Sequence, residues 1–215
     1  MDERKKVVES GYNALASRFA DWQSESGTTD ARDRVLAEFT RRTPPGARVL
    51  DLGCGSGIPS TRELSKSFDV TGVDASIAQV RLARRNVPTA TFIHADFMEA
   101  EFPEASFRGV CALYSISHIP RQQHPELFAK VRTWLVPGGL FVAVLGATDS
   151  PDWIGEWLGV PMFFSSYDAD TNRTLLREAG FHLILDEVLD TVEPEGPVPF
   201  LWVISRKASP PVSGD

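Results

Sequence analysis

The chain contains very little cysteine. Cys54 and Cys111 are its two cysteines among 215 residues, and two are too few for a disulfide framework. Both stand in strand or strand-end contexts, where cysteine usually acts as a small apolar residue. The sequence also lacks a Cys/His cluster at the spacing of metal ligands, so we expect no metal site.

The chain likewise lacks long apolar runs and an excess of positive charge. No segment approaches the roughly 20 apolar residues that cross a bilayer, and the charged Met1–Lys6 is not followed by the apolar core of a secretory signal. The formal net charge is −7 and the pI about 5.2, and pairs such as Arg84-Arg85 form no basic stripe for nucleic acid. We therefore expect a cytoplasmic protein with a small-molecule partner, without nucleic acid or membrane. The oligomeric state is left open.

What the chain does contain is an alternation of apolar strands and helical segments. Residues 5–22 and a segment from Asp30 to before Pro44 are predicted as two helices. Beyond them, short apolar runs alternate with helices, which is the pattern of a parallel sheet with right-handed crossovers. The predicted strands are 48–51, 70–73, 90–94, 108–113 and 140–145.

The C-terminal third departs from this alternation. Residues 146–167 are rich in Trp and Phe without a regular period, and they are predicted as an irregular segment. A helix at 171–179 follows. Strands at 181–188 and 200–205 are separated by a loop too short for a crossover helix, so they should pair antiparallel. The expected fold is α/β: a Rossmann-like, doubly wound, mostly parallel sheet of seven strands with a C-terminal antiparallel hairpin.

A glycine-rich turn follows the first predicted strand. The run Val49–Gly57 is an apolar strand that contains Asp51 and then enters Gly53–Gly57, with glycine at alternate positions. Glycines let the backbone approach a ligand closely, and Asp74 at the end of the next strand can accept both hydroxyls of a ribose. This predicts a nucleoside cofactor. The spacing is G-x-G-x-G, not the G-x-G-x-x-G of dinucleotide sites.

These motifs resemble those of the class I S-adenosylmethionine-dependent methyltransferases. Their first motif is similar to Asp51-Leu52-Gly53-Cys54-Gly55-Ser56-Gly57, and the resemblance covers residues 45–205. It implies S-adenosyl-L-methionine as the cofactor and the small-molecule type of the family. In that family the acid matching Asp74 binds the ribose hydroxyls, and an acid after the third strand, here Asp96, binds the adenine amino group.

The resemblance places further residues around the cofactor. Asp51 would receive the ammonium group through water, and Tyr12 would bring an aromatic ring near the sulfonium, where a cation–π contact is favourable. The acids could instead hold or cap their own loops, and Tyr12 could belong to a core face. The expected cofactor-binding residues are Tyr12, Asp51, Gly53, Cys54, Gly55, Asp74, Ala75, Asp96, Phe97 and Tyr114.

The segment after the fourth strand, residues 113–120, should line the methyl-transfer centre, because ligands bind beyond the carboxyl ends of parallel strands. His118 is the candidate catalytic residue, since a neutral imidazole can accept a hydroxyl or ammonium proton. A structural role is the alternative, because methyl transfer from a sulfonium can proceed by alignment alone. The segment lacks the Asn/Asp-Pro-Pro-aromatic motif of methyltransferases that act on base amines or glutamine.

Residues 146–168 are predicted as a lid over the active edge, with an extra core layer as the alternative. Aromatic side chains there would suit a flat or apolar acceptor, and the expected substrate-binding residues are Trp153, Trp157, Phe163 and Tyr167. The expected domain organisation is an N-terminal helical cap over 1–44, a methyltransferase domain over 45–207 and a disordered tail over 208–215.

The resulting hypothesis is an enzyme that moves a methyl group from S-adenosylmethionine to a small apolar or aromatic metabolite by in-line displacement. Oxygen is the first choice of acceptor atom and nitrogen the second. A non-catalytic S-adenosylmethionine-binding partner or regulatory protein is the alternative, which turnover would distinguish. The glycine spacing and the late hairpin oppose a nicotinamide-dependent oxidoreductase, and a serine hydrolase lacks its G-x-S-x-G elbow here.

Overall fold

The computed structural model describes residues 2–16, 18–19, 29–193 and 196–208. Its helices are α1 (Glu3–Leu15), α2 (Thr29–Arg42), α3 (Ser60–Leu64), α4 (Ile77–Asn86), α5 (His124–Trp134) and α6 (Ala169–Glu178). Its strands are β1 (Arg48–Leu52), β2 (Asp69–Asp74), β3 (Thr91–His94), β4 (Phe107–Ala112), β5 (Leu135–Gly146), β6 (Ser150–Trp157), β7 (Val160–Ser166), β8 (Phe181–Glu193) and β9 (Gly196–Lys207). The tail from 209 onward, expected to be disordered, lies outside the described residues.

Seven strands form one sheet in the order β3-β2-β1-β4-β5-β9-β8. The strands β1 to β5 run parallel to one another, and β9 runs antiparallel to both β5 and β8. The chain changes direction across the sheet between β1 and β4, which opens a crevice beyond the carboxyl ends of these two strands. The predicted fold class is confirmed.

The central strands are buried on both faces because helices cover both sides of the sheet. Val49 and Leu50 are adjacent in β1 and both are 0% exposed. Leu50 packs with Phe141 in one apolar cluster, and Val49 packs with Val142 in another on the opposite face. This double burial explains why the strands are nearly continuous apolar runs in the sequence.

The segment 146–167 is not irregular, so that prediction was wrong. The strands β6 and β7 form an antiparallel hairpin in which Trp157 pairs with Val160. Between them Leu158 and Gly159 have φ of 50° and 77°, the backbone of a two-residue type I′ turn. Asn-Gly or Asp-Gly is the usual sequence signal for this turn. The turn was not predicted because leucine occupies its first position.

Helix α1 and the β6–β7 hairpin pack on each other, and we call these two elements the cap. Leu15, Val160 and Met162 form an apolar cluster of their own, separate from the sheet core. Gly11 allows the close approach, because a Cβ at this position would lie 2.7 Å from Met162 Cε and 2.9 Å from the carbonyl oxygen of Pro161. Helix α1 and the segment predicted as a lid therefore form a single packed unit, whereas α2, the other helix of the predicted cap over 1–44, packs against the sheet.

Polar contacts join the two parts of the cap and attach it to the sheet domain. The Arg4 guanidinium lies 2.5 Å from the Asp152 carboxylate of the hairpin. Asn13 Oδ1 accepts hydrogen bonds from Ser76 Oγ at 2.8 Å and from the Ala78 amide at 3.1 Å. Because Ser76 and Ala78 stand at the start of α4, the cap lies at the edge of the sheet where β2 ends.

Candidate functional site

The glycine-rich turn after β1 has the backbone that its sequence predicts. Gly53 and Gly55 have φ of 72° and 53°. A Cβ on Gly53 would lie 2.3 Å from Ser115 Cβ, whereas a Cβ on Gly55 would meet nothing within 4 Å. The Gly53 amide donates to the Val73 carbonyl at 2.8 Å, which fastens the turn to β2. The turn is therefore packed against Ser115 at Gly53 and open at Gly55.

Asp74 holds this turn from the end of β2. Its carboxylate accepts hydrogen bonds from the amides of Gly55 and Ser76, both at 2.8 Å. Burial raises the pKa of Asp74, and the two amide hydrogen bonds act in the opposite direction. Asp74 also borders the cavity in front of the turn. It can therefore combine the structural role considered as an alternative with contact to a ligand.

The turn borders a cavity of about 830 Å³, part of it open to solvent, which we call the first cavity. Of the predicted cofactor-binding residues, all except Asp96 line it: Tyr12, Asp51, Gly53, Cys54, Gly55, Asp74, Ala75, Phe97 and Tyr114. Asp96 borders an adjoining cavity. There it pairs with Lys5 Nζ at 2.6 Å and accepts a hydrogen bond from the Met98 amide at 2.8 Å.

The first cavity is mainly acidic. The charged side chains among its described lining residues are the carboxylates of Glu9, Asp51 and Asp74 and the guanidinium of Arg32. Asp51 accepts a hydrogen bond from Thr61 Oγ1 at 2.6 Å. Burial raises the pKa of Asp51 to about 6, which the Thr61 hydrogen bond and the Arg32 charge partly oppose.

Arg32, on α2, is the site residue that the sequence reasoning missed. It is 4% exposed, and among the described residues its Nε has no hydrogen-bond partner. Its guanidinium lies 5.5 Å from the centre of the Tyr114 ring, and burial lowers its pKa. Nothing in the sequence distinguishes Arg32 from the neighbouring Arg34, which is exposed and paired with Glu187. The difference exists only in the folded chain.

A second cavity of about 1070 Å³, also partly open to solvent, adjoins the first. The two cavities share five lining residues, which are Tyr12, Phe19, Arg32, Tyr114 and His118. The second cavity has aromatic walls from Trp157, Phe164 and Phe200, and its lining also includes Ser117, Thr148, Ser150, Ser165 and Ser166.

Trp157 lines the second cavity as predicted for a substrate-binding residue, whereas the other three residues predicted for this role lie elsewhere. Trp153 is 46% exposed and Phe163 is 0% exposed, and Tyr167 packs against the Arg121 guanidinium at 5.0 Å. Successive side chains of a strand point to opposite faces, so Phe164 reaches the cavity and its neighbour Phe163 does not.

His118 ends the short 3-10 turn after β4, and both of its ring nitrogens have partners. Nδ1 lies 3.0 Å from the Phe163 carbonyl oxygen, and Nε2 lies 2.8 Å from the Tyr12 hydroxyl. A carbonyl oxygen only accepts, so Nδ1 carries the proton and Nε2 accepts from Tyr12. Removal of the ring from water lowers the pKa of His118 to about 4, so the imidazole is neutral at pH 7.

The described part of the chain offers no other obvious chemistry. It contains no group of His, Cys, Asp and Glu side chains arranged to hold a metal ion. No helix in it is long and apolar enough to cross a membrane. Cys54 and Cys111 are free and buried, and burial raises the pKa of both thiols, so neither is a ready nucleophile.

The sequence of the chain is similar to those of known methyltransferases. A family described as a methyltransferase domain matches residues 49–139. The chain is 31% identical over 194 residues to the O-methyltransferase cnsE of Penicillium expansum, covering 80% of this chain and 68% of that protein. It is 32% identical over 173 residues to the 27-O-demethylrifamycin SV methyltransferase of Amycolatopsis mediterranei, covering 77% of this chain and 57% of that protein.

Solved structures agree in fold. The 1,6-didemethyltoxoflavin-N1-methyltransferase of Burkholderia thailandensis superposes with a TM-score of 0.72 at 22% identity, covering 96% of this chain and 90% of that one. The DhpI–SAH complex gives a TM-score of 0.74 at 21% identity, covering 95% and 97%. The fold is Rossmann-like, with the glycine-rich turn following its first strand. The chain belongs to the class I S-adenosylmethionine-dependent methyltransferases, whose cofactor is S-adenosylmethionine.

The charges of the first cavity and the open space over Gly55 fit this cofactor. S-adenosylmethionine carries a sulfonium cation, an ammonium group and one carboxylate. The cavity offers the carboxylates of Glu9, Asp51 and Asp74 to the two cations, and the guanidinium of Arg32 to the single anion. The open space over Gly55 leaves room for close approach to the backbone.

Cofactor affinity is expected to fall at acid pH because of Asp51. With a pKa of about 6, its carboxyl group is mostly protonated at pH 5 and cannot balance an ammonium group. We expect the Kd for S-adenosylmethionine to be about tenfold higher at pH 5 than at pH 7, as measured by calorimetry. Asp51→Asn should remove this dependence. A wild-type Kd that stays constant from pH 5 to 8 would contradict the assignment.

The same group affects the stability of the cofactor-free protein in the opposite sense. The folded-state pKa of Asp51 lies above the ordinary aspartate value of 3.8, so between these two values the folded chain binds more protons than the unfolded chain. The contribution of Asp51 to the free energy of unfolding therefore decreases as the pH rises from about 4 to 6.

Proposed function

We propose that the protein transfers the methyl group of S-adenosylmethionine to a hydroxyl oxygen of a small apolar or aromatic molecule by in-line displacement. The observation that carries this proposal is the meeting of the two cavities at Tyr12, Arg32 and His118. A methyl group presented from the first cavity would face an acceptor held in the second, and alignment of this kind lowers the barrier to transfer.

The proposed cofactor contacts assign one role to each charged group. Asp74 would accept the ribose hydroxyls, Asp96 the adenine amino group, and Asp51 the ammonium group through water. Arg32 would bind the carboxylate. Asp74 can accept hydrogen bonds from the ribose hydroxyls as well as from its two backbone amide donors, because an ionised carboxylate has about four acceptor positions. The cofactor supplies a methyl group on an already activated sulfur, so the protein's task is to orient the reactants and exclude water.

The charges of the second cavity favour oxygen over nitrogen as the acceptor atom. Among the described residues that line it, Arg32 is charged and none is a carboxylate. An ammonium acceptor would lose its water beside a guanidinium and a sulfonium without gaining a counter-ion, which is costly. A neutral or acidic hydroxyl avoids this cost. The 31% identity to an O-methyltransferase supports the same choice.

We also propose that the protein acts in the cytoplasm on a small molecule, with no nucleic-acid or membrane partner. The net charge of −7 is unfavourable for a polyanion such as nucleic acid. The cavities supply the recognition that a small acceptor needs, since they combine apolar walls with a few polar groups.

A matched panel of acceptors tests this function. The protein would be incubated with S-adenosylmethionine labelled in the methyl group and with pairs of phenols and benzylamines of equal size, together with fractionated metabolites. We expect label on the phenolic oxygen and none on the protonated amines. Transfer to amines alone would overturn the choice of oxygen. Cofactor binding without transfer to any acceptor would overturn the enzyme in favour of a non-catalytic binding protein.

Asp74→Asn is expected to weaken S-adenosylmethionine binding about tenfold or more, because the amide replaces an acceptor oxygen by a donor. The new NH2 group would face either a ribose hydroxyl or one of the backbone amides of Gly55 and Ser76, which now donate hydrogen bonds to the Asp74 carboxylate. Calorimetric titration measures the change, and circular dichroism checks that the sheet is intact. Asp69→Asn, at the other end of β2, is the control. An unchanged affinity in Asp74→Asn would contradict the ribose assignment.

A further inference from the structure

Tyr12 and His118 form a hydrogen-bonded pair where the two cavities meet. The Tyr12 hydroxyl donates to His118 Nε2 at 2.8 Å, and His118 Nδ1 donates to the Phe163 carbonyl at 3.0 Å. The two rings meet edge to face with their centres 5.2 Å apart. Three separate parts of the chain contribute, namely α1, the turn after β4, and β7 of the hairpin.

We propose that Tyr12 is a catalytic residue whose hydroxyl takes the proton of the acceptor hydroxyl while passing its own proton to His118 Nε2. This rests on the proposed O-methyl transfer and adds the route of the proton. Both nitrogens of His118 are engaged, one by Phe163 and one by Tyr12. An acceptor therefore reaches the base through the Tyr12 oxygen, which can accept one hydrogen bond while donating another.

The step balances without any further reagent. The acceptor oxygen forms a bond to the methyl carbon as the carbon–sulfur bond breaks, and the electron pair of that bond stays on sulfur. The acceptor proton moves to the Tyr12 oxygen, and the Tyr12 proton moves to Nε2. One positive charge disappears at sulfur while one appears on the imidazole, so the net charge of the site is unchanged. The imidazolium then returns its proton through the Tyr12 hydroxyl to water, once the products have left.

The hydrogen-bonded pair of Tyr12 and His118 depends on the cap. Tyr12 belongs to α1 and Phe163 to the hairpin, so the cap supplies both partners of His118. Without these contacts the neutral imidazole could adopt either tautomer. The Phe163 carbonyl selects the tautomer whose Nε2 accepts a proton. The proton route is therefore complete only with the cap over the cavities, where it also excludes water from the reaction.

The tautomer of His118 tests the proposal without an acceptor. In nitrogen-15-labelled protein saturated with S-adenosylhomocysteine, the NMR spectrum should show His118 as a neutral ring protonated at Nδ1. Tyr12→Phe keeps the aromatic ring and removes the hydroxyl, so the Nε2 resonance should move downfield because the nitrogen loses its donor. A ring protonated at Nε2 in the wild type, or an unchanged Nε2 resonance in Tyr12→Phe, would overturn the proposal.

Turnover of the phenols provides the kinetic test. Tyr12→Phe should lower kcat about a hundredfold and change the Kd for S-adenosylhomocysteine less than about twofold. Tyr167→Phe removes a hydroxyl outside the lining of both cavities and should keep the wild-type kcat. An unchanged kcat in Tyr12→Phe would overturn the relay and leave O-methyl transfer standing. A wild-type protein that transfers no methyl group to oxygen would overturn the proposed function itself, whatever the tautomer.

Discussion

Gly55→Ala is expected to weaken S-adenosylmethionine binding about tenfold to a hundredfold while the protein stays folded. Gly55 has φ of 53°, and a Cβ there would project into space with no atom within 4 Å. Since Gly55 lines the first cavity, the added methyl group would stand where the cofactor approaches the backbone. Calorimetric titration measures the affinity, and thermal unfolding measures the stability.

Gly46→Ala is the matched control for this substitution. Gly46 has φ of 74°, and a Cβ there also meets nothing within 4 Å, but the residue lies in the turn before β1. Each alanine is forced into the left-handed region at a cost of about 1 kcal/mol, so both variants should lose similar stability. Only Gly55→Ala should lose affinity. Equal affinities in the two variants would show that the cofactor does not lie against this turn.

Arg32→Met is expected to weaken S-adenosylmethionine binding and to stabilise the cofactor-free protein. Arg32 is 4% exposed, burial lowers its pKa, and among the described residues its Nε has no hydrogen-bond partner, so the buried charge costs free energy in the folded state. Methionine has a similar length without the charge, and the free energy of unfolding should rise by about 1–3 kcal/mol. Loss of the partner for the cofactor carboxylate should raise Kd about tenfold to a hundredfold.

Arg34→Met provides the comparison, because Arg34 lies on the same helix but is exposed and pairs with Glu187 at 2.6 Å. An exposed ion pair contributes about 1 kcal/mol or less, so this variant should change neither affinity nor stability appreciably. Lower affinity together with higher stability in Arg32→Met, and neither change in Arg34→Met, would indicate that the Arg32 charge serves cofactor binding. Lower stability in Arg32→Met, together with unchanged affinity, would show instead that Arg32 is a structural residue.

Several of the predicted cofactor-binding residues that line the first cavity share a simple feature. Asp51, Gly53 and Asp74 follow directly from strands whose apolar runs are visible in the sequence. The carboxyl ends of parallel strands meet at one edge of a sheet, so locating the strands was enough to bring these residues together. The observed cavity lining contains all three.

The second cavity could not be predicted in the same way. The hairpin that forms part of it depends on a type I′ turn in which Leu158, at φ 50°, stands where asparagine or aspartate is usual. Without the strands, the faces of Phe163 and Phe164 could not be told apart. Adjacent side chains of a strand point to opposite faces. An error of one position in the predicted strand therefore assigns a side chain that lines the cavity to the core, and the reverse.

The sequence by itself determined the sheet, the glycine-rich turn and the acids at the strand ends, because each depends on neighbouring residues and on the regular geometry of parallel strands. Only the tertiary structure decided that Arg32 is buried with no hydrogen-bond partner for its Nε among the described residues, that Phe164 and not Phe163 lines the second cavity, and that Tyr12 and Phe163 both engage His118. These contacts join elements separated by 106 residues in one case and 45 in the other. The geometry of these contacts depends on how the cap packs on the rest of the chain, and no local sequence pattern predicts that packing.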